Sequence, residues 1–156
     1  MKTAVATLAV AGALAGPALA EARELTLSTT LDEYRGDKAY LAIYLTDADG
    51  QYQRTLWVAG RKAKYYKHLA DWARGSGLRT AELDGLSGAS VGSGDTLEVS
   101  VEVADSLIDA GYQIRIDSAV EDKRSNRAEV QVPLTRDGAG KDNAGSGYVS
   151  AFRYQL

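Results

Sequence analysis

Apolar residues at every second position constrain the fold of this chain more than any other feature. Over residues 96–103, Leu97, Val99, Val101 and Val103 fall on one side and Glu98, Ser100 and Glu102 on the other, the pattern of a strand with one face on a core and one in water. Residues 25–31 alternate through Leu25, Leu27, Thr29 and Leu31, and residues 128–134 through Ala128, Val130, Val132 and Leu134. Residues 112–118 turn Tyr112, Ile114 and Ile116 inward against Gln113, Arg115 and Asp117, and residues 148–156 place Tyr148, Phe152, Tyr154 and Leu156 on one face. Two further strands, 40–46 and 52–59, flank Asp47-Ala48-Asp49-Gly50. The Asp and Gly of that tetrapeptide suit the positive backbone angles of a tight turn and predict a hairpin.

Seven short alternating strands with one helical interruption predict an all-β chain, an immunoglobulin-like antiparallel β-sandwich with one inserted amphipathic helix. The helix is expected over 62–74, where Tyr65, Leu69, Trp72 and Ala73 recur at helical spacing and Gly75 offers a stop. A small-residue segment, 75–95, follows it. A second Gly-rich stretch, 137–147, reads as a flexible hairpin tip, because Gly138, Gly140 and Lys141 lack the spacing of a phosphate loop.

The first 20 residues read as an export signal. Lys2 supplies a positive start, Ala4 to Gly16 a short apolar run, and Ala18-Leu19-Ala20 the small-x-small pattern before a cleavage site. The run falls short of the roughly 20 residues that span a bilayer as a helix, and no later segment is longer, so the chain is not itself membrane-spanning. There is no cysteine for disulfides or lipid attachment. The expected localisation is periplasmic, with secretion the alternative. Residues 21–156 then form a single domain whose stability rests on its core. The chain has 18 basic and 21 acidic side chains, and loss of Lys2 leaves 17 against 21. That balance argues against nucleic acid as a partner, since phosphate binding needs an excess of Lys and Arg.

The segment after the helix contains Asp84-Gly85-Leu86-Ser87-Gly88-Ala89-Ser90. This heptapeptide resembles the acceptor sequence that bacterial flavin transferases esterify with FMN outside the cytoplasm. In that pattern an Asp precedes two variable positions, then Ser or Thr, Gly, Ala and an accepting Thr or Ser. Asp84, Ser87, Gly88, Ala89 and Ser90 fill those places, with Ser90 as acceptor where Thr is commoner. A chance match in a chain rich in small residues is on the order of one in a few hundred. The resemblance implies covalent FMN, an exposed and pliable backbone at Gly88 and Ala89, and a flavin transferase as partner. Tyr65, Tyr66 and Trp72 are candidates to stack on the ring, Trp57 a weaker one, against the ordinary role of large aromatics in core packing. Arg61, Lys62, Lys64 and Lys67 either steer an acidic redox partner or form a solvated helix face.

Across nearly the whole of residues 21–156 the pattern resembles domain-of-unknown-function family 2271. The likeness rests on the hairpin from Leu41 to Gly50, Thr55-Leu56-Trp57-Val58, the basic aromatic stretch from Arg61 to Tyr66, Trp72 and the Ser87-Gly88-Ala89-Ser90 loop. It implies a periplasmic immunoglobulin-like sandwich and, through the genes near many members, a PepSY-type membrane redox protein as partner.

Other chemistry is poorly represented. His68 is the only histidine, which excludes a multi-histidine metal site. Ser87 lacks the spacing of a nucleophile elbow. Asp47-Ala48-Asp49-Gly50 lacks the further ligands of a calcium loop. Two readings follow: a carrier of covalent FMN in extracytosolic electron transfer, without catalytic residues of its own, or a binding module with no cofactor.

Overall fold

A computed structural model describes residues 21–156, and the expected export signal lies outside the described residues. The chain is mostly β, in two sheets. A three-stranded sheet has the order β5 (Thr96–Ala104), β1 (Ala22–Leu31), β8 (Val149–Gln155). A five-stranded sheet runs β4 (Ser87–Gly88), β3 (Tyr52–Ala59), β2 (Tyr40–Thr46), β6 (Gln113–Ala119), β7 (Ser125–Pro133). Every pairing is antiparallel except that of β4 with β3, which is parallel.

Alternation in the sequence becomes burial in the structure. Leu25, Leu27, Val101, Val103, Phe152 and Tyr154 from the first sheet meet Leu41, Ile43, Leu45, Ile114, Ile116, Val130 and Val132 from the second in one buried cluster. Burying each such side chain contributes about 1.5–3 kcal/mol before conformational entropy is set against it. The hairpin turn forms as expected. Asp47 Oδ1 accepts from the amides of Asp49 and Gln51, both at 2.9 Å, and Gly50 takes φ +82°.

The expected two layers are joined by a third. On the outer face of the five-stranded sheet, Ala42, Tyr44, Val58 and Ala119 pack against Tyr66, Leu69 and Trp72 of the helical segment. β2 is therefore buried on both faces, which explains its unbroken apolar run Leu41-Ala42-Ile43-Tyr44-Leu45.

That helical segment corrects the single helix expected over 62–74. It is a 3-10 helix, Ala63–His68, followed by α1, Ala70–Ser76, with Leu69 between them at ψ 73°. At three residues per turn, the position three before Leu69 faces the sheet. Tyr66 is thus buried, and Tyr65, placed inward by α-helical spacing, is turned outward to half exposure. Gly75 does not stop the helix. Gly77 does, at φ 65°, its amide donating to Ala73 O. At Gly75 a Cβ would lie 2.4 Å from Tyr52 Cβ, so that glycine allows the helix to approach β3.

Two buried carboxylates tie the layers together. Asp117, which strand alternation places on a polar outer face, is fully buried because α1 covers it. Its Oδ1 accepts from Tyr44 Oη (2.9 Å) and the Ala128 amide (2.7 Å), and its Oδ2 from the Trp72 amide (2.8 Å). The last bond supplies the N-terminal cap that Leu69 has no side-chain oxygen to provide. Ala128 itself sits at φ +44°, where the β6–β7 register shifts. Glu129 accepts from Ser118 Oγ and from the amides of Gly147, Tyr148 and Val149. The 137–147 stretch is thereby joined to both ends of its neighbourhood, with Gly140 N donating to Tyr154 O and Asn143 bridging Phe152.

Candidate functional site

Ser90 lies between two backbone pairings. Upstream, Ser87–Gly88 is β4, held parallel to β3 by bonds from Val58 N to Leu86 O and from Gly60 N to Gly88 O, each 2.8 Å. Downstream, Val91 and Ala39 exchange two backbone hydrogen bonds of 2.6 and 2.9 Å. The segment expected to be pliable is an edge strand. A Cβ on Gly88 would meet Trp57 Cζ2 at 2.8 Å, so the glycine there admits the indole ring. Asp84, Ser87 and Ala89 are exposed, whereas Gly88 and Ser90 are half-buried.

Ser90 lines a cavity of about 510 Å³ with Tyr65, Tyr40, His68, Lys62 and Lys123 among its other walls. The strand ends bring these residues together. Tyr40 opens β2, opposite Ala119 at the close of β6, and the 3-10 helix carries Tyr65 and His68 across the sheet above them. The Tyr65 ring stands edge-on to Tyr40, with centroids 5.5 Å apart, and Lys64 Nζ lies 5.1 Å from its centroid. Three lysines, Lys38, Lys62 and Lys123, line the space with Asp37, Glu121 and Asp122, so its formal charge is balanced.

The other aromatic candidates are elsewhere. Trp72 is fully buried, its indole donates to Thr55 Oγ1 at 2.9 Å, and its ring packs edge-on against Tyr66. Tyr66 is buried too, donates to Gly60 O at 2.8 Å, and has its phenol pushed above the usual value by that burial and then by Tyr40. Neither presents a free ring face. Of the three aromatic residues predicted beside Ser90, only Tyr65 shares its cavity. Sequence reading missed Tyr40 and His68 as neighbours, because strand pairing and helix placement create those contacts. Among the described residues there is no cluster of three or more metal-ligating side chains.

A family model described as a predicted periplasmic protein, domain-of-unknown-function family 2271, matches residues 22–151. The chain belongs to this family. The match takes in all eight strands except the last residues of β8 and includes every residue of the Ser90 cavity. No curated protein and no solved structure matches. Among the described residues, no helix is long and apolar enough to cross a membrane.

Proposed function

We propose that this family 2271 protein is an exported carrier of FMN, esterified to Ser90, that passes electrons to or from a membrane redox partner of PepSY type. The observation that carries the reading is Ser90 on the wall of a cavity of about 510 Å³, at the acceptor position of a flavin-transferase-like sequence. That volume lies within the roughly 300–1,000 Å³ of small-molecule sites.

In the attachment step a transferase brings FAD to the serine. The Ser90 Oγ–P bond forms, the pyrophosphate P–O bond breaks, AMP leaves, and the hydroxyl proton passes to a base of the transferase. The isoalloxazine supplies the redox chemistry once attached. The chain's own residues hold and orient. Ser90 fixes the phosphate end, Lys38, Lys62 and Lys123 offer cations to the phosphodiester charge, and Tyr65, braced by Tyr40, gives a flat apolar wall.

The order β8-β1-β5 opposite β3-β2-β6-β7 supports an immunoglobulin-like topology, with β8 in the edge place that the first strand of such a domain takes beside the second. The scaffold does not specify the chemistry, which resides in the cavity.

One observation favours a cofactor-free binding module instead: the acceptor sequence is hydrogen-bonded into a sheet edge, and a transferase must accept it in that form or peel it away. Coexpression with a flavin transferase separates the readings. The carrier reading expects yellow colour and flavin fluorescence that stay with the chain through denaturation and vanish in Ser90→Ala. A colourless chain from such cells contradicts it.

A further inference from the structure

The helical segment divides the outer face of the five-stranded sheet into two clefts. Ser90 belongs to the one at Tyr40 and Ala119; the other opens at Tyr44 and Arg115, four residues further along β2, or roughly 13 Å at strand rise. This second cleft, of about 570 Å³, lies between the 47–51 turn and α1 and is lined by Arg74, Arg115 and Arg127 with Asp49 and Asp71. Three guanidinium groups face two carboxylates in a chain that is acidic as a whole.

The arginines are unequally satisfied. Arg74 and Arg127 both reach one oxygen, Asp71 Oδ1, at 3.5 and 2.8 Å. Arg115 is half-buried and has no carboxylate within salt-bridge distance among the described residues. A neutral amide holds it: Gln113 Oε1 accepts from Arg115 Nε at 3.2 Å and from Nη2 at 2.9 Å. Its guanidinium also lies against the turn, where a Cβ on Gly50 would be 3.2 Å from Nη2. A guanidinium has five donors, and this one is fixed in place by Gln113 with donors to spare. Such a fork matches two oxygens of a carboxylate or phosphoryl group, and its prior fixing lowers the ordering cost of binding.

We infer that the cleft between the 47–51 turn and α1 binds a small oxyanion, with Arg115 as the principal contact and Arg74 as a flanking one. The site is independent of flavin attachment at Ser90.

The test titrates the folded protein separately with phosphate and with citrate, at constant ionic strength set by chloride because screening weakens such contacts. Amide resonances of Gly50, Gln51 and Gly75, which line the cleft, are followed in the native chain, Arg115→Gln, Arg74→Gln and Arg153→Gln. Arg153 of β8, paired with Asp142 of the 137–147 stretch, serves as the control. Saturable shifts with either probe, weakened about tenfold in Arg115→Gln, weakened also in the exposed Arg74→Gln and unchanged in Arg153→Gln, support the site. The probe that saturates at lower concentration assigns carboxylate or phosphoryl chemistry. No saturation with either probe, or unchanged binding in both cleft variants, overturns it.

Discussion

Individual side chains in this protein are set by what covers them more than by their polarity. Thr29 occupies an inward position of β1, fully buried, and its Oγ1 has no hydrogen-bond partner. An unmet buried hydroxyl costs about 1–3 kcal/mol, so Thr29→Val is expected to raise stability by about 1 kcal/mol, read as a higher midpoint in thermal denaturation; a lower midpoint contradicts it. Asp117 is the opposite case, since all its donors are in place. In Asp117→Asn the amide NH2 must face either the Trp72 amide or the Tyr44 and Ala128 donors, and the expected loss is about 2 kcal/mol by urea denaturation. Its pH dependence has a definite sign. Burial, the largest cause, raises the carboxyl above its ordinary 3.8, against the three bonds that lower it. The folded state therefore holds the proton more tightly, and the contribution is full below 3.8 and lost as pH rises through the folded value. The stability gap between the native chain and Asp117→Asn, about 2 kcal/mol at neutral pH, should therefore widen as pH falls toward 3.8, and a gap that shrinks on acidification contradicts it. Nothing in the sequence around Asp117 marks it as buried, because the cover comes from α1, remote in the chain.

Strands were legible where one face is wet or where a turn bounds them. β1, β2, β3, β5, β6, β7 and β8 all lie where alternation or the hairpin turn put them, with ends moved by a few residues. β4 was not legible, since two residues carry no alternation and the pairing with β3 is parallel, made only after the chain crosses the helical segment. The break at Leu69 escaped for a related reason: Tyr65 and Tyr66 are adjacent aromatics, and only the 3-10 geometry decides which one is buried. Gly75 shows how packing reverses a propensity. In an open helix Gly→Ala gains about 1 kcal/mol, but here the new Cβ would sit 2.4 Å from Tyr52 Cβ. Overpacking of that kind costs about 1–3 kcal/mol. Gly75→Ala should destabilise the protein in a denaturant titration, and a stabilised variant would show that α1 and β3 are less closely packed than described.

Across the whole molecule, the helical segment lying on the five-stranded sheet creates both clefts, and neither is visible in any local stretch of sequence. The acceptor-like heptapeptide could be read directly, as could Ser90 within it. The neighbours of Ser90 could not, because Tyr40 comes from a strand start, Tyr65 and His68 from the 3-10 helix and Lys123 from the β6–β7 connection. Their convergence makes Ser90 part of a cavity wall as well as part of the link between β4 and the Val91 bridge. Peptide mapping by mass spectrometry, on protein isolated from the envelope of cells that make a flavin transferase, decides whether Ser90 carries FMN. For an FMN carrier, the peptide containing Ser90 gains the mass of one FMN less one water, and Ser90→Ala leaves that peptide unmodified in a chain with the same thermal midpoint. An unmodified Ser90 peptide, or a flavin found on a different residue, contradicts that role.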